Sequence, residues 1–137
     1  MSTESNKQVV HKFYEAIQNE DYAAAARLCH SDFVFYLQID TPIHGAAGFI
    51  ASEKKNFDAF PGFSFQIERL IAEGDQVAAY LVFDGKHTGK EVDGIAPTGK
   101  RLRFSLLMLL KVADGKIIEK RAHFDRKDIH RQLVGAD

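Results

Sequence analysis

The sequence predicts an α+β fold in which helices pack on one face of an antiparallel sheet. Three observations carry that prediction. Apolar residues recur at helical spacing near the start, at Val9, Val10, Phe13, Ala16 and Ile17. From Phe63 onward, runs alternate with the period of a strand. The breaks between those runs, Gly74-Asp75 and Asp114-Gly115, are turn dipeptides that join neighbouring antiparallel strands.

The elements follow in order. Ser5-Asn6-Lys7-Gln8 has the form of a capping box and opens the first helix. Asp21 caps a second, alanine-rich helix that ends near His30. Residues 33–40 alternate, with Phe33, Phe35, Leu37 and Ile39 on one face, and form a strand. Residues 45–60 form a third helix with Phe49, Ile50, Phe57 and Phe60 on its apolar side, stopped by Pro61-Gly62. Four strands come next. The alternation of Phe63, Phe65 and Ile67 breaks at Arg69-Leu70-Ile71, which predicts a bulge. Residues 76–83 form a second strand of this group. A glycine-rich loop leads to a long strand over residues 101–112, and the last strand runs through Asp125. Residues 126–134 form a short terminal helix.

Composition narrows the function classes. The chain has 137 residues, the size of one domain, and carries a net charge of −1, which offers no footprint for nucleic acid or an anionic membrane. A single cysteine, Cys29, rules out a disulfide framework. The first six residues are polar and carry no signal-peptide pattern, so a cytoplasmic location is expected. No metal or other cofactor is expected, because no Gly-rich phosphate loop appears and His123 with Asp125 falls short of a converging ligand set. The run Leu106-Leu107-Met108-Leu109-Leu110 is apolar on both strand faces. Helices can cover only one side, so a homodimer partner is expected on the other.

On the last strand, Ile118, Ala122 and Phe124 share one face; Glu119, Arg121, His123 and Asp125 share the other. If the ionisable row faces a cavity, Asp125 and His123 form an acid/base pair in a pocket. If it faces water, they form an ion-pair ladder.

Gly85-Lys86-His87-Thr88-Gly89, Gly94-Ile95-Ala96-Pro97-Thr98-Gly99-Lys100, Asp114-Gly115-Lys116-Ile117-Ile118-Glu119 and Phe124-Asp125 together resemble the pattern of SnoaL-like proteins of the nuclear transport factor 2-like superfamily. The resemblance spans residues 6–134. It implies a cystatin-like cone, a curved sheet wrapped around the N-terminal helices with a deep pocket between them, and a small hydrophobic ligand or substrate. In the polyketide cyclases of the family, an Asp at the end of the last strand is the acid/base of an aldol closure, and Asp125 matches it. His123 and Arg121 would then face the cavity too, with Tyr14, Tyr36, His87 and Phe57 as further substrate contacts. Leu107 and Leu109 would replace polar substrate contacts of the cyclases. Epoxide hydrolases of the superfamily need an Arg-x-Asp pair that Val77-Ala78-Ala79-Tyr80-Leu81-Val82 lacks. Ketosteroid isomerases pair an early carboxylate with a first-helix tyrosine, which Asp40 and Tyr14 match loosely. The expected function is therefore cyclase-type proton transfer on a carbonyl compound, with a non-catalytic binding module or an isomerase as alternatives.

Overall fold

The computed structural model describes residues 2–135. Helix α1 (Thr3–Gln18) begins three residues earlier than the Ser5–Gln8 pattern suggests. Ser2 is its N-cap, and the Ser2 hydroxyl accepts the Ser5 N–H at 3.0 Å while the Ser5 hydroxyl accepts the Ser2 N–H at 3.0 Å. Helix α2 (Tyr22–Arg27) is capped by Asp21 as predicted, through the Ala24 N–H at 3.1 Å. Strand β1 (Cys29–Tyr36) starts before the predicted run and stops before Leu37, where a turn takes over. A short strand β2 (Pro42–His44) follows, too brief to leave an alternation in the sequence. Helix α3 (Ala46–Asp58) is capped by Gly45, whose φ of 87° suits glycine.

Strands β3 (Ser64–Glu73), β4 (Gln76–Lys86), β5 (Arg101–Ala113) and β6 (Lys116–His123) form the meander, and helix α4 (Arg126–Val134) closes the chain at the predicted bounds. The predicted bulge lies between Ile67 and Arg69. Asp114 and Gly115 have φ of 55° and 73°, the positive pair that a tight type I′ hairpin needs.

The sheet runs β2-β1-β6-β5-β4-β3. All neighbours are antiparallel except β1 and β6, which run parallel because the chain crosses over through α3 and the meander between them. Bulges in β3 and at the start of β6 add twist, and the sheet curves around the helices. Cross-strand partners fix two kinds of row. One row is Val77, Leu110, Lys120 and Phe35, all buried against the helices. The neighbouring row is Ala78, Leu109, Arg121 and Tyr36, which faces away from them.

Several polar groups pin the layers together. Gln18 on α1 donates to the Phe63 carbonyl at 2.9 Å and accepts the Phe65 N–H, tying the start of edge strand β3 to the helix. Gln132 on α4 donates to the Arg103 carbonyl at 2.8 Å and accepts the Arg103 N–H at 2.9 Å. That pair covers the stretch of β5 that lies beyond the end of β6. Among the described residues no helix is long and apolar enough to cross a membrane.

Candidate active site

A cavity of about 280 Å³ opens between α3, the inner sheet face, α4 and the loop after β4. Its walls are aromatic and aliphatic: Phe35, Phe57, Phe65, Phe83, Phe104 and Met108 are among them. Two ionisable side chains, Glu53 and Lys120, line the same chamber, while Glu91, Asp93, Lys55 and Arg126 belong to exposed positions at its edge.

The inward face of β6 is Lys120, Ala122 and Phe124, not the row of Glu119, Arg121, His123 and Asp125. This reverses the expectation that the ionisable row looks into the pocket. The physical reason is that the inner faces of β5 and β4 are fully apolar at Leu110, Met108, Val77 and Ala79, so those residues decide which parity of β6 is buried. His123 is exposed opposite Leu107. Arg121 stacks 4.0 Å above the Tyr36 ring and pairs with Glu119 at 3.1 Å, so Arg121 and Tyr36 are an outer-face pair rather than substrate contacts. Asp125 is exposed and caps α4, accepting the Asp128 N–H at 3.0 Å. Leu107 and Leu109 also face outward, so they do not stand in for pocket groups.

The remaining candidates divide. Phe57 lines the cavity and stacks on Phe63 and Phe83 with centroids 4.2 and 5.9 Å away. Tyr14 is buried behind Lys120, and its hydroxyl has no protein partner among the described residues. Asp40 is an exposed turn residue outside the cavity lining, so the Tyr14–Asp40 pairing of an isomerase does not assemble. His87 is fully buried but braces the loop. Its Nδ1 accepts the Thr98 N–H at 3.4 Å, which leaves Nε2–H to donate to the Lys90 carbonyl at 2.9 Å. The loop it braces carries Glu91, Val92 and Asp93 to the chamber. Gly89, next in the loop, packs against the Asp58 and Ala59 backbone, and a Cβ there would collide with the Asp58 carbonyl. Among the described residues no three His, Cys, Asp or Glu side chains converge as a metal site.

Lys120 and Glu53 are the groups that sequence reasoning passed over. Lys120 is 1% exposed. Its Nζ lies 4.6, 5.2 and 5.8 Å from the ring centroids of Phe35, Phe49 and Tyr14, and 3.5 Å from Met108 Sδ. Among the described residues no carboxylate oxygen comes within 4.0 Å of it. Burial pulls the amine down to about 8, against the raising effect of Glu53 and Cys29. Glu53 projects from α3 one turn from both Phe49 and Phe57. Burial holds its carboxyl above the usual carboxylate range, and the charge on Lys120 pulls the other way. The two shifts run toward each other, the carboxyl up and the amine down. Cys29 is pushed up to about 11 by burial and its thiol donates to the Ala25 carbonyl, so it is a packing residue.

The comparisons with known proteins agree with this architecture. The chain belongs to the SnoaL-like polyketide cyclase family, whose model matches residues 7–133. It is 38% identical over 65 residues to the nogalonic acid methyl ester cyclase of Streptomyces nogalater, a match covering 47% of this chain and 48% of that protein. The matched stretch therefore spans about half the length of that relative. A SnoaL-like protein from Jannaschia sp. CCS1 superposes with a TM-score of 0.89 at 20% identity, over 98% of this chain and 95% of that one. An epoxide hydrolase of M. tuberculosis superposes with a TM-score of 0.74 at 23% identity, over 97% of this chain and 92% of that one. At these identities the structural likenesses establish the fold.

Proposed function

We propose that this protein enolises a small carbonyl compound in the aromatic chamber, as the proton-transfer step of a cyclase-type reaction. The observation that carries this reading is that buried Lys120 and half-buried Glu53 both line the aromatic chamber, with the other charged residues at its exposed edge. Glu53, desolvated and therefore basic, removes a proton from the carbon next to the carbonyl. The Lys120 ammonium offsets the negative charge that develops on the carbonyl oxygen. Among aromatic walls that attraction is stronger than in water. The enolate then attacks a second carbonyl of the same molecule, and Glu53 returns its proton to the new alkoxide. Membership in a cyclase family and the cyclase relative support the aldol outcome. The chamber volume is at the lower end for ligand pockets, which favours a substrate of one or two rings. The mechanism thus keeps the acid/base carboxylate expected of a cyclase but assigns it to Glu53 instead of Asp125.

The test is hydrogen–deuterium exchange of an aryl methyl ketone in D₂O, followed by NMR. Wild-type protein is expected to accelerate loss of the methyl signal, and Glu53→Gln to reduce that acceleration at least a hundredfold, the usual scale of a general base. Equal rates for the two proteins would sink this assignment.

We also propose that a second copy of this chain covers the outer sheet face, where Ile71, Tyr80, Leu107 and Leu109 are exposed.

A further inference from the structure

We propose that Lys120 is a nucleophilic site that captures aldehydes and ketones covalently as an imine. The proposal shares the chamber with the enolisation reading but not its chemistry. A lysine acts as a nucleophile only when its amine is accessible to the ligand, free of a tight carboxylate partner and able to lose its proton. Lys120 meets the three conditions. It lines the cavity yet is sealed from bulk water. Its one hydrogen-bond partner among the described residues is the Met108 thioether, a weak acceptor.

The surroundings include opposing influences. Ring faces of Phe35, Phe49 and Tyr14 favour the ammonium. Glu53 on α3 and Cys29 on β1 favour it as well. Desolvation outweighs them and brings the amine to about 8, so a useful neutral fraction exists near physiological pH. The Tyr14 hydroxyl on α1 is held well above its ordinary range by burial, so it stays neutral and adds no charge.

The step balances without any further reagent. The Nζ lone pair forms a bond to the carbonyl carbon, the C=O π pair moves to oxygen, and an N–H proton transfers to that oxygen. Glu53, having taken the proton that the Lys120 ammonium releases before attack, gives it to the carbinolamine hydroxyl, water leaves, and the C=N bond forms. The product is an iminium carrying its positive charge close to where the ammonium stood, so the same rings hold it. Hydrolysis by water reverses the capture. The ligand class that fits is an aryl or alkyl ketone or aldehyde without a charged group near the carbonyl.

The experiment mixes wild-type protein with excess benzaldehyde or acetophenone, adds sodium borohydride, and reads intact mass followed by peptide mapping. One reduced adduct per chain at Lys120 is expected, and it is lost in Lys120→Met. Absence of an adduct, or adducts spread over the surface lysines in wild type and Lys120→Met alike, would overturn the proposal. Deuterium exchange measured on the same ketone separates the two readings. Exchange without trapping removes only the imine, and trapping without exchange removes only the enolisation.

Discussion

Lys120 is where function and stability pull apart. A charged amine in a row otherwise made of Val77, Leu110 and Phe35 is destabilising, because burial disfavours its ionised form. The folded amine titrates at about 8 and the unfolded one near 10.5. Below 8 both states are protonated and the full penalty applies; above 10.5 neither is, and it vanishes. Between those values the unfolded chain binds more protons, so stability contributed by this group rises with pH. Replacing Lys120 with Met, similar in length and apolar, should therefore stabilise the protein at pH 7 by up to about 3–4 kcal/mol, the scale set by about 1.4 kcal/mol per pKa unit. The gain should shrink toward pH 10 while ketone exchange is lost. Urea unfolding of both proteins at the two pH values checks this, and a gap that does not narrow would mean the amine is not desolvated. The residue was legible in principle. Lys120 shares its strand face with Ala122 and Phe124, and Glu53 shares its helix stripe with Phe49 and Phe57. A polar group on an apolar stripe is the signal. It was masked by the four charges of the opposite face, and strand parity alone cannot say which face is inside.

At the scale of elements, α4 shows how one residue can look catalytic and be structural. Asp125 ends the last strand in sequence, but the fold uses its carboxylate to satisfy the Asp128 N–H at the start of a helix. Asn is an equally good N-cap, so Asp125→Asn should leave both stability and ketone exchange within error of wild type. Asp125→Ala should cost about 1 kcal/mol of stability through the lost cap, with exchange per folded molecule unchanged. Chemical denaturation and the exchange assay read the two effects separately, and an inactive but stable Asp125→Asn would restore that carboxylate to the mechanism. The bounds of α4, the Asp114-Gly115 hairpin and the bulge after Ile67 were all legible, because each rests on local chemistry: a cap, a pair of positive φ angles, a broken alternation. Strand β2 and the first residues of β1 were not. Strand β2 has only three residues, too few to alternate, and the first residues of β1 pair with a partner distant in sequence, Cys29 against Ile117.

For the whole molecule, the question is what covers the back of the sheet. Cross-strand pairs bring Tyr80 beside Leu107 and Ala78 between Ile71 and Leu109, making a contiguous apolar band on the face opposite the helices. On one side of it Arg121 is matched within the chain, pairing with Glu119 and stacking on Tyr36. Such a band suits a copy of itself, because a two-fold axis would bring apolar residues onto apolar residues. A carboxylate placed there would meet its symmetry mate in the same dry interface. Leu109→Glu is therefore expected to convert a dimer into a monomer in sedimentation velocity. The chamber lies on the other side of the sheet, so ketone exchange should survive in that monomer at or near the wild-type rate. A wild-type protein that stays monomeric over its soluble concentration range, or a variant that remains dimeric, would leave the band without its proposed cover. Loss of exchange on dissociation would instead show that the two faces of β5 are coupled, with the packing of Leu109 helping to hold the neighbouring inward residues Met108 and Leu110 in place.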